Sequence, residues 1–255
     1  WLKSSILIGV ILIGAGFGYA QTVDKATGGT SISADSVGGT FTTLAGPVIT
    51  ETTAGQIPLG NIIFKAPSGF EWDTSGTDPA VSIALAPGNN ANTLLDIVFR
   101  SRTPTELTFE VIQASNSGPR KPGQATFSGF RVRPTSGIMP NSGIIKNVGN
   151  SGPAGLTNYG DLIMVAGAPS QVRVETAADG SGGVVPAQNL MAGESISVYS
   201  VSRDQHGNYL QNIAAETWSL VDITGGIVQG DLSVAGDSKS ALLTGDLVGT
   251  AKIQA

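Results

Sequence analysis

The feature that most constrains this chain is a two-residue rhythm of apolar and polar side chains, broken every few residues by turn formers. Glu106-Leu-Thr-Phe-Glu-Val-Ile112 shows it most clearly. Leu107, Phe109 and Val111 fall on one side of an extended backbone, and Thr108 and Glu110 on the other. Ile62–Lys65, Phe70–Trp72, Val81–Leu85, Asp96–Arg100, Ala125–Arg133, Ile144–Val148 and Asp161–Val165 follow the same rule. So do Gln171–Thr176, Ser195–Arg203, Glu216–Val221, Asp231–Val234, Lys239–Leu243 and Gly249–Gln254. No window after Gln21 sustains a helical period. The segments between the strands are rich in Gly, Pro, Asn and Ser, which is turn chemistry. The pattern predicts an all-β chain of β-sandwich type rather than a parallel α/β sheet.

Ala166-Gly-Ala-Pro-Ser170 divides the strands into two groups, and no repeat relates the halves. We therefore expect residues 21–167 to form one β-sandwich and 168–255 a second, in tandem. Ahead of them, residues 1–20 read as a cleavable signal peptide. Lys3 supplies the positive start, Ile6 to Ile13 the apolar core, and Gly18 and Ala20 the small residues ahead of the cut before Gln21. A membrane anchor is the alternative, but the run falls short of the ~20 residues that span a bilayer. An exported chain, outside the cytoplasm or at the cell surface, is the expectation, with no membrane insertion once the signal is removed. The chain opens on Trp1 rather than Met and stops at Ala255 inside an expected strand, so it reads as part of a longer protein.

Composition narrows the chemistry. The net charge is −5, and the basic residues are scattered except for the pairs Arg100/Arg102 and Arg131/Arg133. Nucleic acid would find no cationic stripe, and each pair should lie on a solvated strand face. There is no Cys, which removes disulfides, thiolate metal sites and thiol nucleophiles.

No catalytic, cofactor-binding or metal-ligating set emerges. His206 is the sole histidine, two residues from Asp204, and both are expected in an exposed turn. A Ser-His-Asp site would need it, yet no Gly-x-Ser-x-Gly elbow accompanies it. A loop-bound calcium stays open at Asp73-Thr-Ser-Gly-Thr-Asp78, where a plain polar turn is the simpler reading. Sugar stacking could use Trp72, Trp218, Tyr159 or Tyr209, but Trp72 and Trp218 sit at core spacing. The pairs Gly28-Gly29, Gly38-Gly39, Gly182-Gly183 and Gly225-Gly226 lack the Lys-Ser/Thr of a phosphate loop and read as turns.

The second half resembles the bacterial immunoglobulin-like domains of the invasin and intimin type. The likeness covers about residues 169–255. It rests on Asp204-Gln-His-Gly-Asn208 after a long strand, Trp218 in the next, the ending Leu243-Thr-Gly-Asp-Leu-Val-Gly-Thr-Ala-Lys-Ile253, and the lead-in Ala168-Pro-Ser-Gln-Val-Arg-Val174. In the first half, Ala66-Pro-Ser-Gly-Phe-Glu-Trp-Asp73 and Phe130-Arg-Val-Arg-Pro-Thr135 are similar to phrases in sandwich modules of large bacterial surface proteins. The resemblance implies a stalk or adhesive role, with other extracellular modules, proteins or surface glycans as partners. The alternative is a set of accessory modules, with carbohydrate binding one option for them, of a secreted polysaccharide-active enzyme whose catalytic domain lies beyond Ala255. A sugar-binding module in its own right is a third reading.

Overall fold

The structure, a computed structural model, describes residues 21–89, 92–115, 121–154 and 157–255. The expected signal at 1–20 lies outside the described residues. Among them the chain is all β, with several sheets, two 3-10 turns and no α-helix.

In the N-terminal region two four-stranded sheets face each other. One runs Thr22–Asp24, Val48–Thr50, Gly123–Ser128, Ala80–Leu85. The other runs Lys146–Asn147, Gly60–Lys65, Glu106–Gln113, Asp96–Arg102. Side chains from both interdigitate, as alternation requires. Phe64 and Phe109 of one sheet meet Phe127 of the other at 4.8 and 4.9 Å between ring centroids. Phe64 also touches Phe130 and Tyr159 edge-on, and all of these rings are buried. Edge-to-face geometry suits their quadrupoles and adds to the hydrophobic gain. A three-stranded sheet (Thr42–Leu44, Phe130–Pro134, Phe70–Trp72) and a mixed one (Ser142–Ile144, Asp161–Val165, Ile32–Ser33) extend this sandwich-like body.

The segment expected as one strand, Ala125–Arg133, is two. Gly123–Ser128 pairs with Ala80–Leu85, whereas Phe130–Pro134 pairs with Thr42–Leu44 and Phe70–Trp72. Gly129 lies between them at φ 75°, in the left-handed region. The chain there passes from one sheet to another, and the buried phase moves by one residue, from Ala125 and Phe127 to Phe130 and Val132. Ile144–Val148 divides likewise. Ile145, fully buried between the two short strands, bonds to the backbone of Tyr159 and Gly160 instead.

The C-terminal region is smaller and less filled. Ser195–Arg203 is its spine, flanked by Gln171–Glu175 on one edge and by Ser240–Thr244 and Tyr209–Asn212 on the other. Leu232–Val234 closes that sheet. A two-stranded ribbon, Ser219–Gly225 with Gly249–Gln254, covers its core face. The ribbon strand begins at Ser219 rather than at Glu216, so Trp218 precedes it. A bulge at Asp222 (φ 54°) resets the register against Gly249–Gln254. Val198, Trp218, Leu220, Leu232 and Ala241 form this core, with no residue shared with the larger cluster.

Candidate functional site: the contact between the two regions

Of the residues singled out in the sequence, Asp204 and His206 fall in one place, the turn Asp204–Asn208. The sequence predicts an exposed turn there. It instead packs against the N-terminal region, because the spine strand ends where the chain crosses between the two cores. Asp204 is fully buried and Asn208 nearly so. Asp204 Oδ1 accepts from the amides of His206 and Asn208, both at 2.9 Å. Its Oδ2 accepts from the Gly167 amide at 2.8 Å and the Asn208 side chain at 2.7 Å. Burial works against the Asp204 charge, but these donors outweigh it and hold the carboxyl below its ordinary range.

Asn208 reaches across the contact. Its Nδ2 donates to the Gly137 carbonyl at 2.7 Å, and its Oδ1 accepts from the Met139 amide at 2.9 Å. Asp35, in the turn Ala34–Ser36, answers from the other side. It accepts from the Ala168 amide at 2.7 Å and from Gln205 Nε2 at 3.1 Å. The crossing segment is thus hydrogen-bonded to both regions. His206 lies in this contact with its side chain 23% exposed, correcting the exposed-turn expectation. Gly137 makes room for it: a Cβ there would sit 2.3 Å from the imidazole ring.

Beside the contact, Arg203 and Glu175 form a buried ion pair, Nε to Oε1 at 2.5 Å and Nη2 to Oε2 at 2.6 Å. Arg203 also donates to the carbonyls of Gly207, Gly180 and Gly182. Glu175, beside it, holds the guanidinium more firmly protonated than usual. This fork ties the turn and the loop after Glu175 to the spine.

The other candidates lie apart. Asp73 is buried. Its Oδ1 accepts from Ser75 N at 2.8 Å, Ser75 Oγ at 2.9 Å and Gly76 N at 3.2 Å, an Asx turn, while Oδ2 lies 2.5 Å from Arg131 Nη1. Burial opposes its charge, and those bonds together with Arg131 outweigh it, so the carboxyl ionises below its usual range. Asp78 points elsewhere, toward Arg102 at 3.3 Å. The loop carboxylates therefore do not converge. Among the described residues no group of three or more His, Asp or Glu is gathered to hold a metal ion.

Arg100, Arg131 and Arg133 lie on outer strand faces, but the bulge between Phe99 and Ser101 sets Arg102 opposite the buried Leu107, so the Arg100/Arg102 pair does not share one solvated face. Arg100 pairs with Glu110 and Arg133 with Glu71. The Arg133 guanidinium also lies over the Phe41 ring, 4.3 Å from its centroid. Trp72, Tyr159 and Trp218 are buried. Tyr209 is 37% exposed, with its hydroxyl donating to Ala178 and its ring against Gly180. An open hollow lined by Ser197, Tyr199, Ser233 and Val234 carries no charged side chain.

Sequence reasoning missed two buried polar pins. Glu51 Oε1 accepts from the Ile57 amide, and Oε2 from Ser115 Oγ and the Gly123 amide. Asn147 accepts from the amides of Ile63 and Gly149 and donates to the carbonyls of Ser151 and Pro153. Both stand near short strands, where no local pattern flags a partner far along the chain.

Family models, curated proteins and solved structures were all searched, and none matches the chain. Among the described residues, no helix is long and apolar enough to cross a membrane.

Proposed function

We propose that the chain is a non-catalytic part of an exported surface protein, a stalk or adhesion segment made of two β-sandwich modules in tandem. The second module is of the immunoglobulin-like, invasin and intimin type, and residues 1–20 direct export. The observation that carries this reading is the contact between the regions. Asp35, Asp204 and Asn208 direct buried or half-buried polar atoms at backbone groups of the crossing segment and of the opposite region. A stalk needs such a fixed relation between units, since a loose linker would let them swing independently. The buried carboxylates Asp73, Glu51 and Glu175 are also engaged in internal bonds that hold loops. Partners would be reached through loops or edge strands, whose ligand chemistry is that of proteins or surface glycans.

Single-molecule pulling on the full chain tests the mechanical reading. Two force peaks are expected, one for each core, with the smaller core opening at the lower force. A single peak for the whole chain would reject the tandem arrangement. A glycan array separates the roles: strong binding to one polysaccharide class would replace the stalk with the accessory-module alternative.

A further inference from the structure

The sole histidine is placed for more than packing. His206 Nε2 is shielded from solvent and has no hydrogen-bond partner among the described residues. The Asp35 carboxylate lies 4.0 Å from it, too far for a hydrogen bond and close enough for a charge to be felt. We propose that His206 is a pH-responsive clamp on the contact: protonation in mildly acidic medium creates an imidazolium–Asp35 ion pair that tightens the two regions against each other.

The surroundings support this assignment. Asp204, in the same turn, faces His206 only through the backbone, and each of its oxygens already accepts two bonds. The facing segment Thr135–Met139 presents Gly137 to the ring and contains no ionisable residue. The cations of the neighbouring strands are engaged elsewhere, Arg203 with Glu175 and Arg173 with Gln171. Asp35 is therefore the charge that faces the unpartnered nitrogen, and it already holds Ala168 and Gln205 at the contact. Histidine is the side chain that ordinarily changes charge in the mildly acidic range. A proton there would set a positive charge opposite the Asp35 carboxylate where the neutral ring offers none, which gives the contact two strengths, one for each protonation state.

Because the chain has a single histidine, its imidazole signals can be followed by proton NMR on the full chain without assignment. Asp35→Asn should lower the titration midpoint relative to the parent chain. Thermal melting supplies the second readout. The gap between the parent chain and His206→Gln should widen by about 2 °C or more from pH 8 to pH 5.5. Gly137→Ala keeps every charge but displaces the ring, and should abolish that widening. Equal midpoints in the parent and Asp35→Asn, or a melting gap that does not change with pH, would overturn the clamp. Neither result depends on whether the chain serves as a stalk.

Discussion

The two regions solve the same problem with different means. The N-terminal one fills its interior with rings: Phe64, Phe109, Phe127, Phe130, Trp72 and Tyr159 are almost wholly inaccessible. The C-terminal one has a single large ring, Trp218, among Val, Leu and Ala. It leaves Val172, Val184, Met191, Leu247 and Val248 exposed. It compensates with polar order, through the Glu175–Arg203 fork and the Asp204 turn. The lesson is about scale. Both regions pin loops with buried polar groups, Glu51, Asn147 and Asp73 in the larger and Glu175 and Asp204 in the smaller. The ring-filled interior, however, lies between facing four-stranded sheets, whereas the smaller one is covered by a two-stranded ribbon and draws more of its order from directional bonds.

The largest effect should come from the bigger core. Phe64→Ala removes a ring packed against Phe109, Phe127, Phe130 and Tyr159. It should cost about 4–5 kcal/mol in denaturant unfolding. A loss below about 2 kcal/mol would mean that the rings repack freely.

Next is the small core. Trp218→Ala should cost about 3 kcal/mol, because the ring is buried and its Nε1 also donates to the Ser238 carbonyl at 2.8 Å. A loss under 1 kcal/mol would show that polar order alone holds this region. Glu175→Gln should follow at about 2–3 kcal/mol, since it leaves the buried Arg203 without its counter-charge. A neutral result would remove the contrast drawn between the two interiors.

The smallest effect is set by acid. Asp204 and Asp73 have lowered native pKa values, so their stabilising contribution is complete above the unfolded value of about 4. It is lost as the pH falls below that, through the native values. Melting between pH 5 and pH 2.5 should therefore fall less steeply in Asp204→Asn than in the parent chain. Parallel curves would mean that the Asp204 charge does not stabilise the folded state.

Much of the architecture could be read from the residues. Phe70–Trp72, Asp161–Val165, Ser195–Arg203 and Gly249–Gln254 have the bounds that alternation predicts. Thr22–Asp24, Ile32–Ser33, Thr42–Leu44, Val48–Thr50 and Tyr209–Asn212 were not foreseen, because two to four residues are too few to display a period. The break at Gly129 was visible in principle: Ala125 and Phe127 keep one phase, and Phe130 and Val132 the other. The contact was not visible. Asp35 and Gln205 meet across 170 residues of chain, and no local rule connects an Asx-rich turn to a carboxylate so far away.

The two hydrophobic clusters share no buried residue, and polar groups of Asp35, Asp204 and Asn208 bridge the regions, so each interior should open on its own. Native-state amide hydrogen exchange on the parent chain and on Trp218→Ala tests it most directly. Protection should fall in the strands between Gln171 and Gln254 and stay unchanged in Gly60–Lys65, Glu106–Gln113 and Gly123–Ser128. An equal loss of protection in both sets of strands would contradict it.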